Sequence, residues 1–245
     1  MRGLEIMKKL GLVGGTGPES TLVYYHDLVY GVQQCLGRQC FPPMSIESVD
    51  VYHALDMCAK KQDDEYVEYF SAAIANLAAA GAQFAAISAN TPHMFFDAIQ
   101  KRSPLPLVSI VEAAVEAAAK GGYKRLGLLG TLYTMQASFY VDAFAAHGMT
   151  LLRPTEAEMA WLGGKISEEL EQGVKKPETL VQLQQIISRM QQDGGIEAVV
   201  LGCTELPLLL NDSVSPVPCL DTMQVHIKKL VELIVEDELQ DANVK

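Results

Sequence analysis

The chain has 245 residues, 49% of them hydrophobic and 20% charged, and a formal net charge of −11. This composition is typical of a globular protein with one large α/β domain or two smaller lobes, and it excludes a disordered or collagen-like chain. The acidic balance, without a basic cluster and interleaved aromatic residues, argues against a nucleic-acid partner.

Short apolar runs alternate with longer amphipathic stretches, which predicts βαβ units around mainly parallel sheets. In chain order, we predict strands at residues 9–14, 44–49, 83–88, 126–129 and 198–201. We predict helices at residues 19–34, 64–80, 110–119, 154–172, 177–192 and 221–238. Glycines at 81, 121–122 and 194–195 stand where three of these helices should end. The predicted fold class is doubly wound α/β.

Residues 79–91 and 193–205 each combine a helix ending in glycine, a strand and a small polar cluster. This internal similarity predicts two similar lobes. Because ligands bind beyond the carboxyl ends of strands in such sheets, both polar clusters should face one interlobe active-site cleft. We predict a first lobe of residues 7–104 plus 215–245, and a second lobe of residues 105–214.

A glycine-rich segment, residues 14–21, follows the first predicted strand and opens a helix. Its amides could hold an anion. The segment lacks the GxGxxG spacing of a dinucleotide site and has no Walker lysine, so we predict no nicotinamide cofactor. A carboxylate-binding or purely structural turn fits better.

Cys203 follows the last predicted strand, just before a helix predicted to begin near Thr204. A helix N-terminus stabilises a thiolate, so Cys203 is a candidate catalytic group. A buried structural cysteine is the alternative interpretation.

The other cysteines and the five histidines are scattered along the chain. The absence of a CxxC pair predicts reduced thiols, and the absence of ligand spacing predicts no zinc site. The apolar runs are far shorter than the roughly 20 residues that cross a bilayer. We therefore expect no membrane partner and a cytoplasmic protein.

Polar residues follow the third predicted strand of the first lobe. Asn90 and Thr91 could bind a carboxylate, or they could cap a helix that has Pro92 in its first turn. His93 fits a packing role better than that of a base.

Hydroxyl groups follow the first predicted strand of the second lobe. The spacing of Thr131 and Thr134 puts both hydroxyls on one helical turn, where a capping role is the alternative to ligand binding. Near the end of the chain, Asp221 and Thr222 are predicted caps, and His226 is predicted to be structural.

Taken in order, residues 12–21, 88–93, 130–135, 202–205 and 221–222 resemble the aspartate/glutamate racemase family. The resemblance implies two α/β lobes, usually in a homodimer, that bind an amino acid or related carboxylate without pyridoxal phosphate or metal. In that family, two facing cysteines normally move the α-proton: one thiolate removes it and the opposite thiol supplies another.

The resemblance assigns the second of these cysteines to Cys203, whereas Ala89 stands where the first is expected. Alanine cannot transfer a proton. The substrate-binding residues that match the family pattern and its polar clusters are Thr16, Asn90, Thr91, Thr131, Thr134 and Thr204.

A second departure concerns the substrate side chain. Aspartate-specific relatives place a lysine where this chain has Trp161, with Lys165 one turn further on. Losing that cation favours a larger or apolar substrate side chain over an acidic one.

Three hypotheses follow from these residues. The first is an amino-acid racemase in which Cys203 works with water or a hydroxyl on the opposite face. The second is a single-cysteine decarboxylase, similar to the arylmalonate decarboxylases, that needs only a proton donor. The third is a catalytically silent metabolite-binding protein, which Ala89 favours.

Overall fold

The computed structural model describes the backbone of residues 7–243, and their side chains apart from Pro18 and residues 241–243. The chain divides into two compact units, which we call the first and second lobes. The first lobe comprises residues 7–109 and 226–243, and the second comprises residues 110–225.

The first lobe contains a four-stranded parallel sheet. Its strands are β1 (Leu10–Gly14), β2 (Met44–Ser48), β3 (Phe84–Ile87) and β4 (Leu107–Val108), in the order β2-β1-β3-β4. Its helices are α1 (Pro18–Leu36), α2 (Val51–Ala59), α3 (Asp63–Ala79) and α4 (Phe96–Arg102), with a 3-10 helix at Thr91–Phe95. Phe70, Ile74 and Leu77 of α3 are buried against one face of the sheet.

The second lobe repeats this architecture. Its strands are β5 (Arg125–Gly130), β6 (Thr150–Leu152), β7 (Ala198–Gly202) and β8 (Cys219–Asp221), all parallel, in the order β6-β5-β7-β8. Its helices are α5 (Ile110–Lys120), α6 (Leu132–Gln136), α7 (Phe139–Ala146), α8 (Glu156–Glu168), α9 (Pro177–Gly194) and the start of α10 (Thr222–Asn243). Short 3-10 helices lie at Leu170–Gln172 and Leu206–Leu208.

The central strands form because apolar residues run through them without interruption. All residues of β1, β3 and β7 are buried. In the second lobe, Leu129 and Leu201 belong to one core cluster, whereas Leu128 and Val200 belong to the other. The alternation of strand side chains therefore supplies two apolar faces, both covered by helices.

The predicted fold of two α/β lobes with parallel sheets is confirmed. The lobe limits differ from the predicted ones because two short strands lie beyond them. Strand β4 pairs with β3 and so belongs to the first lobe, and β8 pairs with β7 and so belongs to the second. No helix in the described part of the chain is long and apolar enough to cross a membrane.

Gly15 gives a test of how tightly the first turn is built. It has a φ of +79°, and a Cβ at this position would collide with the carbonyl oxygen of Val49. We expect Gly15→Ala to lower the free energy of unfolding by about 3 kcal/mol, from left-handed strain and backbone displacement together. Urea unfolding measures this change.

Gly81→Ala is the matched control. Gly81 also has a positive φ, +85°, but its Cβ would meet no atom within 4 Å. Its cost should stay near 1 kcal/mol, the strain alone. Equal losses in the two variants would contradict the close approach of Gly15 to Val49.

Candidate active site

Cys203 lies directly after β7, at the carboxyl end of the second sheet. Its side chain is 4% exposed. The Cys203 thiol donates a hydrogen bond to Glu205 Oε2 at 3.0 Å, and the Thr204 hydroxyl donates to the same oxygen at 2.9 Å. Glu205 is itself only 6% exposed. A thiol, a hydroxyl and a carboxylate therefore form one buried cluster.

This environment favours the neutral thiol. Burial raises the pKa of Cys203 well above its usual value, and the neighbouring Glu205 carboxylate raises it further. Burial and the same Glu205 also raise the pKa of Glu171. Cys203 therefore rests as a proton donor.

The predicted helix N-terminus beside Cys203 is wrong. Residues 203–205 form a turn, followed by the three-residue 3-10 helix that contains Pro207. Proline restricts the residue before it, and so short a helix has little dipole to stabilise a thiolate. The predicted thiolate stabilisation is accordingly replaced by a raised pKa.

Two glycines bring the predicted threonines beside this strand. Gly130 pairs with Gly202 across β5 and β7. A Cβ on either glycine would lie 3.1–3.2 Å from Thr134 Cγ2, so Thr134 packs against both strand ends. The Thr131 hydroxyl donates to Thr134 Oγ1 at 3.0 Å and accepts from the Thr134 amide at 3.1 Å. The capping role of Thr131 is thus confirmed, at the edge that carries Cys203.

Of the two residues predicted to cap α10, Asp221 accepts hydrogen bonds from helix amides and Thr222 is the first residue of the helix. Asp221 Oδ1 accepts hydrogen bonds from the amides of Met223 and Gln224, at 2.9 and 3.2 Å. The Thr222 hydroxyl donates to the carbonyl of Leu201 at 2.7 Å, which ties α10 to β7. These contacts hold the strand that positions Cys203.

In the first lobe, the ends of β1 and β3 are joined through hydroxyl groups. Thr16 Oγ1 lies 3.3 Å from Ser88 Oγ, and the Ser88 hydroxyl donates to the Val13 carbonyl at 2.9 Å. The Gly15 amide donates to Thr21 Oγ1 at 3.0 Å. That amide is therefore used inside the turn, which supports the structural interpretation of the glycine-rich segment.

Asn90 and Thr91 also follow β3. Asn90 is 3% exposed and precedes the 3-10 helix, but its side chain does not cap that helix. His93 is buried, stacks on Phe96 with ring centroids 5.1 Å apart, and has a pKa lowered to about 4 by burial. His226, also buried, contacts the Tyr24 hydroxyl at 2.7 Å and the Val108 carbonyl at 3.1 Å. These three contacts fit the predicted structural roles of the two histidines.

The registers of the two sheets relate Ala89 to Cys203. Val13 pairs with Ile87 in the first lobe, and Leu129 pairs with Leu201 in the second. Ala89 lies two residues after Ile87, and Cys203 lies two residues after Leu201, so the two positions are equivalent in their sheets. The chain therefore carries a methyl group in one lobe at the position that holds a thiol in the other.

Lys165 and Lys176, the lysines near α8, form ion pairs with one buried carboxylate. Glu169 is 3% exposed and accepts hydrogen bonds from Lys165 at 2.6 Å, Lys176 at 3.0 Å and Thr179 at 2.6 Å. These partners lower the pKa of Glu169 to about 2. Trp161 packs, partly buried, against the core. Lys165 is thus engaged within the lobe.

A different cation, Arg153, lies at this edge and was missed in the sequence. It directly follows β6, the neighbour of β5. Its Nη2 donates to the Ala137 carbonyl at 2.8 Å, while its buried Nε has no hydrogen-bond partner within the described part of the chain. Among the side chains that the structure describes, no carboxylate forms an ion pair with Arg153. The sequence could not reveal that Arg153 lacks an ion pair, because pairing depends on which carboxylates lie nearby in the folded chain.

A metal centre is not indicated by the side chains in the described ranges. Within residues 7–240, no group of three or more His, Cys, Asp or Glu side chains could hold a metal ion. The thiol, hydroxyl and carboxylate groups at the two sheet edges are instead suited to proton transfer and to binding a small polar ligand.

Known proteins resemble the chain over most of its length. The sequence pattern of the family Asp/Glu/Hydantoin racemase matches residues 13–230. The broad specificity amino-acid racemase RacX of Bacillus subtilis is 22% identical over 227 residues, covering 91% of this chain and 96% of RacX.

Solved structures share the fold. An aspartate racemase homologue from Pyrococcus horikoshii OT3 has a TM-score of 0.80 and 34% identity, covering 93% of this chain and 99% of that one. The glutamate racemase of Francisella tularensis, solved with D-glutamate, has a TM-score of 0.68 at 16% identity, covering 96% and 84%; this likeness concerns the fold alone. With the family pattern spanning residues 13–230, the resemblance drawn from the sequence is confirmed: the chain belongs to the Asp/Glu/Hydantoin racemase family.

Proposed function

We propose that the protein is a cofactor-independent amino-acid racemase in which Cys203 transfers the α-proton on one face of the substrate. The observation that carries this proposal is the buried Cys203–Glu205 hydrogen bond of 3.0 Å at the carboxyl end of the second sheet. Family membership and the similarity to the racemase RacX support it.

The proton transfer can be written with the groups present. Glu205 accepts the thiol proton, and the resulting thiolate of Cys203 removes the α-proton of the amino acid. The same thiol then returns a proton to the carbanion. In the second lobe, the hydroxyl groups of Thr131, Thr134 and Thr204 are the proposed contacts of the substrate carboxylate. To donate to it, Thr131 and Thr204 exchange their hydrogen bonds to Thr134 and Glu205 for bonds to the substrate. In the first lobe, Thr16, Asn90 and Thr91 are the proposed substrate contacts.

The opposite face has no thiol at Ala89, so inversion requires a proton from water or a hydroxyl. We therefore expect exchange with retention of configuration to outpace racemisation. The proposal requires that groups from both lobes reach one substrate, which stays a prediction.

A single-cysteine decarboxylase is the second candidate, and the raised pKa of Cys203 favours it. Loss of carbon dioxide from a substituted malonate leaves a carbanion without any base. The neutral Cys203 thiol would then donate its proton to that carbanion and recover one from solvent.

The test is a screen for α-proton exchange in deuterium oxide, with both enantiomers of the proteinogenic amino acids. We expect deuterium to enter the α-position of at least one amino acid. If no amino acid exchanges and a substituted malonate loses carbon dioxide, the decarboxylase replaces the racemase. If neither reacts, the protein is a binding protein, as Ala89 alone suggested.

Arg153 bears on the substrate side chain. Adjacent parallel strands lie about 4.8 Å apart, so the ends of β6 and β7 are about 10 Å apart. This distance is covered by the length of an arginine side chain added to that of an acidic amino acid. Arg153 can therefore reach the side-chain carboxylate of a substrate whose α-carbon lies at Cys203. We expect Arg153→Gln to reduce the ratio of exchange rates for glutamate over glutamine by about 10- to 100-fold, the effect of one charge-assisted hydrogen bond.

Lys165→Gln is the control for this substitution, because Lys165 is held by Glu169. It should lower the melting temperature and leave the glutamate-to-glutamine ratio unchanged. An Arg153→Gln variant that melts earlier but keeps the ratio would assign Arg153 a structural role, and the larger or apolar substrate side chain inferred from Trp161 would stand.

A further inference from the structure

Helix α10 carries a fully buried histidine near its start. None of the surface of His226 is exposed, and its ring meets the ring of Tyr24 edge-on, with centroids 5.7 Å apart. An imidazole has two polar nitrogens, and burying them costs free energy unless they are hydrogen-bonded. A leucine would fill the space without that cost, so packing alone does not account for a histidine at this position.

The two partners of His226 fix its hydrogen-bonding state. Nε2 lies 3.1 Å from the carbonyl oxygen of Val108, which can only accept, so Nε2 carries the hydrogen and donates it. Burial lowers the pKa of His226 to about 3, so the ring is neutral and has a single N–H. Nδ1 therefore accepts from the Tyr24 hydroxyl at 2.7 Å. The ring joins α10 to β4 and to α1 by one directional bond each.

Thr222, the first residue of α10, makes contacts of the same kind. Its hydroxyl donates to the carbonyl of Leu201 in β7 at 2.7 Å. The hydroxyl of Tyr140, a buried residue of α7, hydrogen-bonds the Thr222 side chain. Thr222 and His226 thus each bind one strand carbonyl and one buried tyrosine hydroxyl.

The two residues act through one rigid element. Thr222 and His226 are four positions apart in a continuous helix, so their side chains lie on the same face of α10. Helix backbone hydrogen bonds join each residue to the fourth one along the chain, so a displacement at His226 also moves Thr222. Thr222 holds Leu201, and Cys203 lies two residues after Leu201. A change at His226 therefore reaches the thiol at the end of β7.

We propose that His226 is a positioning residue for Cys203: by fixing the first two turns of α10 to β4 and α1, it keeps Thr222 on Leu201 and so sets the place of the thiol. The importance of that place for catalysis rests on the proposed function, because a shift of about 1 Å in a reacting group can cost about 100-fold in rate. The place of the thiol itself can be measured without any reaction.

The test is the rate at which iodoacetamide alkylates each cysteine, followed by peptide mass spectrometry. Cys203 reports on the end of β7, and Cys58, a partly buried thiol of α2, reports on the first lobe, to which His226 belongs. We expect His226→Leu to raise the ratio of the Cys203 rate to the Cys58 rate by about 10-fold, the effect of one lost buried hydrogen bond. His226→Gln keeps a donor for Val108 and an acceptor for Tyr24, and should restore the wild-type ratio.

Tyr24→Phe is a milder variant that answers the question if His226→Leu does not fold. It removes only the hydroxyl that donates to His226. Tyr69→Phe is the matched control, because the Tyr69 hydroxyl also takes part in one 2.7 Å bond in the first lobe, accepting from the Asp50 amide. Tyr24→Phe should raise the alkylation ratio, whereas Tyr69→Phe should leave it unchanged. Melting temperatures establish which variants are folded.

The reaction provides a second readout. With the best amino acid of the exchange screen, His226→Leu should lower kcat about 10-fold and leave KM unchanged, since the thiol moves while the substrate contacts stay. An alkylation ratio that stays at the wild-type value in the folded His226 and Tyr24 variants, or that rises equally in Tyr69→Phe, would overturn the proposal. A raised ratio in a protein that exchanges no amino acid would support the positioning role of His226 and reject the racemase instead.

Discussion

Replacing Cys203 with alanine should reduce α-proton exchange by about 10²- to 10⁴-fold, the usual contribution of a general acid–base group. The Cys203 thiol lies at the carboxyl end of β7 and donates to Glu205, so its proton can pass to that carboxylate and return. The measurement is the rate of deuterium incorporation into the best amino acid of the screen, followed by NMR.

Cys219→Ala is the control for this loss. Cys219 is a partly buried thiol on β8, the strand beside β7. It should exchange at the wild-type rate. Exchange that persists in the Cys203→Ala variant would remove Cys203 from the mechanism, and an equal loss in both variants would indicate a general effect of losing a thiol.

Introducing a cysteine at Ala89 should create the missing opposite acid–base group. The registers place Ala89 in the first lobe at the position of Cys203 in the second. Ala89 is partly buried against the core, and cysteine adds one sulfur atom to its side chain. We expect Ala89→Cys to increase the rate of racemisation about 100-fold, within the range for one acid–base group. Chiral chromatography of the product measures the change.

Ala89→Ser separates the thiol from its size, since a hydroxyl is a poor base without an activating partner. It should racemise no faster than wild type. If Ala89→Cys folds, exchanges at the wild-type rate and still does not racemise faster, the proposed position of the opposite face is wrong.

The sequence was sufficient to predict the central strands. Strands β1, β3 and β7 are fully buried apolar runs, and such runs stand out against amphipathic helices. It did not predict β4, β6 and β8, which have only two or three residues each. A periodic pattern cannot be recognised over so few positions, and missing β4 and β8 also displaced the predicted lobe limits.

The sequence predicted where the residues of the candidate site lie on the sheet, but it did not predict the electrostatic environment of the thiol. Cys203, Thr131 and Thr134 lie at one sheet edge, as the strand ends indicated. The direction of the Glu205 side chain depends on the turn at residues 203–205, which the sequence suggested would be a helix. The sequence predicted a stabilised thiolate, whereas the structure raises the pKa of Cys203 and so favours the neutral thiol.

In the proposed reaction, Cys203 moves the α-proton on one face of the substrate only. The most direct measurement follows isotope content and configuration together, in one enantiomer of the substrate, in deuterium oxide. We predict that deuterium enters with retention of configuration much faster than the enantiomer inverts, and that Cys203→Ala slows this exchange by about 10²- to 10⁴-fold. Equal rates of exchange and inversion in the wild type would contradict the one-sided account, and exchange that does not depend on Cys203 would contradict it entirely.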